Sequence, residues 1–302
     1  MKVIDAHIHL LQSSNFDRET WEKGLGLPMP VDTPIEDLIR WLKNVGVVKG
    51  IVMGQDMSRI WNSTCGDDYV ISIVKKHPDL FIGFASVEPL DKFNRLNKSA
   101  LQHFENAITK DGLKGLLLTP PFGQYYSNDR RVYPFYELAD HYGVTVQFHH
   151  SAQIVGNPSL CQIKYARMDL LHDVIVDFPH MRIVIEHMGF PWTEELLILM
   201  VSDENIYTDF AMMYDRPLLL TWNLVKAKEY GLIDRIIYGS DYWAPGQGIF
   251  SDSPDKEFVK FINFISEGIN QVMSEQHWLK LTDEEIEGIL WKNSTRFYEL
   301  EE

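Results

Sequence analysis

The chain has 302 residues, of which 45% are apolar and 24% are charged, the balance of a globular protein long enough to bury a full hydrophobic core. Its formal net charge of −15 argues against a nucleic-acid partner, because such binding depends on clustered lysine and arginine. A membrane span is not predicted either, because no apolar stretch approaches the roughly 20 residues that a span needs.

Segments typical of strands and of helices alternate along the chain. Eight strands are predicted in chain order, at residues 2–7, 49–54, 80–87, 113–119, 144–148, 181–187, 206–210 and 235–241. Helices are predicted between and after them, near residues 34–45, 67–77, 91–111, 134–142, 167–178, 193–202, 217–230, 254–273 and 282–298. Residues 11–33 are polar and aromatic with interspersed glycine and proline, which predicts an irregular insertion after the first strand.

The predicted strands are continuously apolar, as expected for parallel strands buried on both faces. Eight β-α units in a chain of this length predict an α/β protein with a single (β/α)8 TIM barrel. We expect residues 1–302 to form one domain, with a short insertion after strand one and extra C-terminal helices. An open doubly wound sheet is the alternative, although no Gly-x-Gly-x-x-Gly turn follows the first strand.

Four of the predicted strands end in histidine or aspartate. The first runs into His7-Ile8-His9, and strand alternation places both histidines on one face. The fifth, sixth and eighth strands end in His149-His150, His187 and Asp241. The carboxyl ends of all barrel strands meet at the face where active sites form, so these side chains are expected to converge. Histidine and aspartate suit a divalent metal of zinc type.

Longer motifs are spread over nearly the whole chain. They lie at residues 4–9 (IDAHIH), 133–139 (YPFYELA), 177–179 (DFP), 185–189 (IEHMG), 238–242 (YGSDY) and 291–298 (WKNSTRFY). Through them the chain resembles the amidohydrolase-related (amidohydrolase 2) metal-dependent hydrolases of the amidohydrolase superfamily. That family includes hydrolases, lactonases, a hydratase, and the aminocarboxymuconate-semialdehyde and resorcylate decarboxylases. The resemblance therefore implies a metal-dependent barrel more firmly than it implies one reaction.

Carried over by position, the resemblance implies that His7, His9, His149 and Asp241 are metal ligands and that His187 is an acid or base. Many binuclear relatives use a carboxylated lysine on strand four, but Lys114 stands at the beginning of that strand. We therefore expect one divalent metal ion, Zn²⁺ with Mn²⁺ as the alternative, and an open coordination position for water.

His149 and His150 are adjacent, and alternation lets only one of them face the barrel interior unless the strand ends in a bulge. His149 is favoured, because it directly follows the apolar run at the register usual in the family. His150 would then turn toward a neighbouring strand or loop. If the strand runs one residue longer, the ligand is His150 instead.

The expected activity is that of a metal-dependent hydrolase, in which metal-bound hydroxide attacks the carbonyl of a small amide, lactone or related compound. Asp241 would accept the proton of the water, and His187 would polarise the carbonyl or act as general acid. The alternative is a metal-dependent non-oxidative decarboxylase, a lyase, acting on a small cyclic or aromatic carboxylic acid. A third hypothesis is that the chain is a non-catalytic metal-binding or scaffold protein.

Substrate-binding candidates lie in the predicted loops. Arg59 follows strand two, and Lys164 and Arg167 follow strand five; each could pair with a substrate carboxylate, or could be a solvated surface cation. Trp243, after strand eight, is expected to line the substrate pocket.

The partner expected from the sequence is a small-molecule substrate, with no nucleic acid and no membrane, and a homodimer is left open. The two cysteines, Cys65 and Cys161, are far apart and unpatterned, which favours reduced thiols in a cytoplasmic protein. The first strand begins at residue 2, and this leaves no room for a signal peptide.

Overall fold

Eight parallel strands form a barrel in the computed structural model, which describes residues 1–152, 157–213, 215–247, 250 and 253–301. The strands are β1 Val3–His9, β2 Val47–Met53, β3 Phe81–Ser86, β4 Gly115–Leu118, β5 Thr145–Phe148, β6 Ile183–Ile185, β7 Ile206–Asp209 and β8 Ile236–Ile237. Each pairs in parallel with the next along the chain. The amide of Ala6 donates to the carbonyl of Tyr238 over 2.9 Å, which brings β8 back against β1. The predicted TIM barrel is confirmed.

Helices surround the barrel. They are α1 Ile35–Asn44, α2 Asp67–Lys76, α3 Lys98–Thr109, α4 Tyr133–Tyr142, α5 Asp169–Asp177, α6 Thr193–Ser202, α7 Pro217–Glu229, α8 Pro254–Asn263, α9 Ile269–Glu275, α10 Asp283–Glu287 and α11 Asn293–Phe297. Shorter helical turns lie at Ser13–Asn15, Glu19–Leu25, Ser58–Trp61, Pro120–Gly123, Ile163–Ala166, Glu186–Gly189, Ile233–Arg235, Phe264–Gly268 and Gly288–Lys292. Among the described residues, no helix combines the length and the apolar character needed to cross a bilayer.

Two local features differ from the sequence expectation. The helix predicted from residue 91 begins at Lys98, where Asn97 caps it by accepting from the amide of Ala100 over 3.1 Å. The residues before it form a turn, because the Asp91 carboxylate accepts from the amides of Phe93 and Arg95 and so competes with helix formation. A small antiparallel hairpin, Gln55–Met57 with Ser63–Cys65, follows β2 and was not predicted.

Buried side chains form layers inside and outside the barrel. The interior layer includes Ile51, Met53, Phe84, Leu117, Val184, Tyr207 and Ile237, while a larger layer fills the space between strands and helices. A third cluster follows the carboxyl ends of the strands, and we call its rings the aromatic cap: Phe16, Trp21, Trp61, Phe122 and Trp243. The cap encloses the face on which the sequence predicts the functional side chains.

Candidate metal centre

His7, His9 and Asp241 form a compact triangle at the carboxyl end of the barrel, which we call the first group. The Nε2 atoms of the two histidines are 3.0 Å apart, and Asp241 Oδ1 lies 3.4 Å from each of them. Three atoms that share a tetrahedral zinc ion at about 2.0–2.2 Å lie about 3.3 Å from one another. The triangle therefore matches the spacing of three ligands of one divalent cation.

The backbone explains how these three side chains meet. Alternation along β1 puts His7 and His9 on one face, and the register against β2 shifts between Asp5 and Ile8. The Asp241 amide donates to the His7 carbonyl over 2.9 Å, which ties the end of β8 to β1. Asp241 has a φ of 52°, a left-handed backbone that is uncommon outside glycine and clusters at functional sites.

Three histidines have their Nδ1 atoms held by oxygens that can only accept a hydrogen bond. These contacts are His7 with Asp209 Oδ2 at 2.9 Å, His9 with the Gly54 carbonyl at 3.2 Å, and His187 with the Ala211 carbonyl at 2.9 Å. In a neutral ring the proton then sits on Nδ1, and the Nε2 lone pair is available to a metal.

A second triangle, the second group, consists of His149, Glu186 and His187. Glu186 Oε2 lies 2.7 Å from His149 Nδ1 and 3.6 Å from His187 Nε2, and those two nitrogens are 3.2 Å apart. The other carboxylate oxygen, Oε1, lies 3.4 Å from His7 Nε2 and accepts from the side-chain amide of Gln147 over 2.9 Å. Glu186 thus faces both groups, with a different oxygen toward each.

A third combination of ligand atoms joins His7, His187 and Asp209. Both oxygens of Asp209 are already engaged, because Oδ1 accepts from the amides of His187 and Ala211 and Oδ2 faces His7 Nδ1. We therefore interpret Asp209 as a residue that orients His7 and the turn after β6, as outer carboxylates commonly do at metal sites.

The four ligands implied by the resemblance are divided between the two groups: His7, His9 and Asp241 in the first, and His149 in the second. The predicted acid or base, His187, also lies in the second group. Two members of the cluster, Glu186 and Asp209, were not predicted. The signal was available, because both stand at the carboxyl ends of strands, two positions after the interior residues Val184 and Tyr207 and therefore on the same face.

His149 and His150 take different environments. His149 contributes a ring nitrogen to the second group and stacks on Phe122, with ring centroids 4.5 Å apart. His150 is buried against another loop, where its Nε2 lies 3.0 Å from Ser127 Oγ. Burial lowers the pKa of His150 to about 3, so this ring is neutral at physiological pH.

The aromatic cap leaves one edge of the cluster open. Trp243 lies over His9, with ring centroids 5.0 Å apart, and Trp21 packs against Trp243. The Asp241 side chain is 18% exposed, whereas those of His7 and His9 are 0% and 3% exposed. Solvent therefore reaches the first group on the side of Asp241.

The three candidate substrate-binding cations lie apart from both groups. Arg59 donates to the carbonyls of Gly123 and Gln124, and its Nε lies 3.8 Å from Glu88 Oε2. Lys164 lies over the Tyr165 ring, and Arg167 is paired with Asp169. Within the described parts of the chain, no hydrogen bond or ion pair joins any of the three to a member of either group.

Carboxylates dominate the charge of the cluster. Burial opposes protonation of His7, but the carboxylates of Glu186, Asp209 and Asp241 outweigh it and raise the pKa of His7 to about 10. Burial alone would raise the pKa of Asp241, but the neighbouring histidines, with His7 foremost, lower it below its ordinary value. Several buried carboxylates around one point require positive charge, which protons on histidine or a divalent cation can supply. The donor set and its charge therefore fit a divalent metal.

A family model described as amidohydrolase matches residues 4–300. The match contains every residue of both groups and spans nearly the whole chain. No curated protein matches the chain.

Solved structures resemble the chain over its full length at low identity. An uncharacterised TIM-barrel protein from Bordetella bronchiseptica is 21% identical with a TM-score of 0.70, and the match covers 98% of each chain. A probable 2-pyrone-4,6-dicarboxylic acid hydrolase from Acinetobacter baumannii, solved with citric acid bound, is 17% identical with a TM-score of 0.66, covering 99% of this chain and 100% of that chain. A 2,6-dihydroxybenzoate decarboxylase from Rhizobium is 13% identical with a TM-score of 0.65, covering 99% of each chain. These likenesses establish the fold, and a fold shared by two reactions does not select one of them.

Proposed function

The chain belongs to the amidohydrolase family, and on that premise we propose that it is a metal-dependent hydrolase of a small amide, lactone or related carbonyl compound. The observation that carries the proposal is the first group, in which His7, His9 and Asp241 present three ligand atoms 3.0–3.4 Å apart. The group stands at the end of the barrel where such folds place active sites. Its imidazole and carboxylate donors favour Zn²⁺, with Mn²⁺ as the alternative.

A divalent cation held by His7, His9 and Asp241 would supply the Lewis acidity that polarises a carbonyl group and acidifies water. Asp241 is the residue placed to accept the proton of the attacking water, because it lies on the open side and its lowered pKa keeps it ionised. His187 holds a proton at Nδ1 on the Ala211 carbonyl and directs Nε2 into the cluster. Burial lowers the pKa of His187, so the neutral ring can accept a proton at Nε2 and then pass it to the leaving group.

We infer that the substrate is small and has a flat or cyclic apolar part. Phe122 stacks on His149, and Trp243 lies over His9, so aromatic rings flank both groups. Rings of this kind bind flat apolar surfaces well. The similar protein from Acinetobacter baumannii is named for a substrate with a pyrone ring and two carboxylic acids. A carboxylate on the present substrate would need a cation, and Arg59, next to the aromatic cap, is the first candidate, followed by Lys164 and Arg167.

A metal-dependent decarboxylase of a small cyclic or aromatic carboxylic acid is the second candidate. The aromatic cap supports it equally, and the similar protein from Rhizobium is a 2,6-dihydroxybenzoate decarboxylase. In that reaction the bond to the carboxyl carbon breaks, carbon dioxide leaves, and Asp241 or His187 delivers a proton to the ring carbon.

Product analysis separates the two candidates. Protein reconstituted with Zn²⁺, and separately with Mn²⁺, is incubated with a panel of lactones, amides and carboxylated phenols in ¹⁸O-labelled water. We expect ring opening or amide cleavage with label in the product and no carbon dioxide. Carbon dioxide together with the parent phenol would establish the second candidate instead. Full activity after exhaustive chelation would reject metal dependence.

Two further proposals concern the cellular location and the oligomeric state of the protein. Cys65 and Cys161 are both buried in one cluster, which suits a reducing compartment, and we propose a cytoplasmic location.

Leu218 and Trp222, one turn apart on α7, are 59% and 40% exposed. An apolar surface of this kind supports a homodimer, which size-exclusion chromatography with light scattering would test.

A further inference from the structure

We propose that residues 13–32, which follow β1, form a lid that opens to admit the substrate, and that the hydroxyl group of Ser63 holds this lid shut. The lid supplies Phe16 and Trp21 to the aromatic cap. This inference rests on the proposed function in placing the substrate at the first group, but it holds for either candidate reaction.

The aromatic cap covers the first group closely. The side chains of His7 and His9 are 0% and 3% exposed, and Trp243 lies over His9. The rings of Phe16 and Trp21 lie next to Trp243, with centroids 6.1 and 5.8 Å from it. The open side of the group admits water, but the carbonyl of a ring-bearing substrate must come within bonding distance of the cation. We therefore expect part of the cap to move aside, as loops over active sites commonly do.

The two ends of the lid are fastened to each other. The amide of Ser13, at one end, donates to Oδ1 of Asp32, at the other end, over 2.5 Å. Just beyond the lid, Thr33 Oγ1 and Tyr242 Oη are 2.7 Å apart, which fixes the chain before α1. A loop whose ends are fastened together can turn about its base as a unit, while β1 and α1 stay in place.

Ser63 joins the lid to the small hairpin after β2. Its Oγ accepts hydrogen bonds from the amide of Asp17 over 2.9 Å and from Nε1 of Trp21 over 3.1 Å. The same hydroxyl group donates to the carbonyl of Trp61 over 3.0 Å, so its orientation is fixed. Removal of this hydroxyl would leave two donors of the closed lid without that acceptor, whereas water can satisfy both donors when the lid is open.

Two further contacts hold the outer part of the lid. The side chain of Asn157 donates to the carbonyl of Gly24 over 3.1 Å, and the side chain of Gln247 donates to the carbonyl of Pro28 over 2.9 Å. Like the bonds to Ser63, these contacts join side chains to the lid and belong to no β-sheet. A local opening that breaks a few such bonds costs much less free energy than global unfolding. A rigid cap is the competing explanation.

Two cysteines packed against the lid can report its opening. Cys65 and Cys161 lie in the same buried cluster as Phe16 and Trp21, and are 1% and 5% exposed. The folded protein is treated with N-ethylmaleimide between zero and about 1 M urea, and labelling of each cysteine is followed by mass spectrometry. We expect both labelling rates to change little over this range, because a local opening exposes little surface. Rates that rise as steeply with urea as global unfolding does would overturn the lid.

Ser63→Ala should raise both labelling rates about tenfold, because the closed lid loses an acceptor. Thr221→Ala is the matched control and should label at the wild-type rates. Thr221 is a buried residue on α7 whose hydroxyl group donates to the carbonyl of Pro217 in the same helix. Unchanged rates in a folded Ser63→Ala, as judged by circular dichroism, would overturn the role of Ser63. An equal rise in Thr221→Ala would show that labelling follows general destabilisation, and would also overturn the inference.

A second variant covers the case in which Ser63→Ala does not fold. Trp21→Phe keeps an aromatic ring in the lid but removes one of the two hydrogen bonds to Ser63. It should raise the labelling rates of both cysteines by a smaller factor than Ser63→Ala. Labelling of a folded Trp21→Phe at the wild-type rates would count against the lid.

A planar chelator tests whether the same opening admits a ring. Protein reconstituted with Zn²⁺ is mixed with excess pyridine-2,6-dicarboxylate, and transfer of zinc to the chelator is followed with time. We expect transfer from Ser63→Ala to be faster than from the wild-type protein by the same factor as the labelling. Equal transfer rates, with labelling accelerated, would show that a ring reaches the first group by another path and would overturn the lid as the entrance. A wild-type protein that holds no zinc rejects the proposed metal-dependent function instead, and the labelling rates then decide whether the lid opens.

Discussion

At the scale of single residues, the centre consists of side chains whose roles follow from the atoms they present. His7, His9 and Asp241 offer three atoms at metal-ligand spacing. Asp209 accepts from the backbone and the ring around it, which fixes the tautomer of His7. His187 lies in the second group and is not a member of the triangle formed by His7, His9 and Asp241. Proton transfer by His187 is therefore separable by mutation from the first group, whereas Asp241 would serve in both.

Asp241→Asn and His187→Asn should differ in effect. Asp241→Asn removes the charged ligand of the first group and should lower both zinc retention and the turnover rate. His187→Asn should retain zinc at the first group and lower kcat by about 10²–10⁴, the usual contribution of a positioned acid or base. Zinc analysis and steady-state kinetics on the substrate found in the panel check both. A His187→Asn protein that holds no zinc would contradict this division of roles.

At the scale of elements, a polar network joins α2, α3 and β3. Asp67, at the start of α2, accepts from the amide of Ser86 at the end of β3 over 2.9 Å. His103 on α3 lies 2.8 Å from the other oxygen of Asp67. The hydrogen bond to Asp67 raises the pKa of His103 above its ordinary value. The network thus makes the packing of two helices on the barrel sensitive to pH.

The sign of that sensitivity follows from linkage. Because the folded pKa of His103 is raised, its contribution to the free energy of unfolding is fully present below the unfolded value of 6.5 and is lost as pH rises through the folded pKa. The side chain is 43% exposed, so solvent screening limits the contribution to less than about 1 kcal/mol. In urea unfolding, His103→Gln should destabilise the protein at about pH 6 and have little effect at about pH 9. His141→Gln, an exposed histidine on α4, is the control; an equal loss at both pH values would contradict the prediction.

At the scale of the whole molecule, closure of the barrel also assembles the site. Asp5 on β1 accepts from the amide of His7 over 3.2 Å and from the amide of Ser240, after β8, over 2.9 Å. One buried carboxyl group therefore joins the first strand to the last beside His7 and Asp241. Burial raises the pKa of Asp5 to about 7, which agrees with a position enclosed by the barrel wall.

Substitution of Asp5 should test this link between stability and function. Asp5→Leu removes the acceptor of two buried amides and should lower the free energy of unfolding by at least about 2 kcal/mol. Asp5→Asn keeps an acceptor oxygen for the two amides. Its amide nitrogen replaces Oδ2, which has no hydrogen-bond partner among the described residues. Asp5→Asn should therefore lower the free energy of unfolding by less than Asp5→Leu does. Urea unfolding measures both. Equal losses in the two variants would show that the hydrogen bonds of Asp5 do not account for its effect.

Patterns in the sequence are enough to predict the barrel and the end of it that carries the chemistry. Both depend on local regularities: continuous apolar strands alternate with helices, and His7, His9, His187 and Asp241 stand where strands end. The sequence pattern did not predict the turn at Asp91. There the Asp91 side chain accepts hydrogen bonds from backbone amides, and α3 begins later than predicted.

Which of these residues share a centre depends on how the strands pack together. His149 and Glu186 are 37 positions apart along the chain, and His7 and Asp209 are 202 positions apart, yet each pair is in contact. Such contacts depend on strand register and barrel closure. The partners of Arg59 are likewise set by the neighbouring loops, where Glu88 and two carbonyls surround its guanidinium group. Strand periodicity places a side chain on a face, but the packing of eight strands around one axis sets which atoms on that face come within ligand distance.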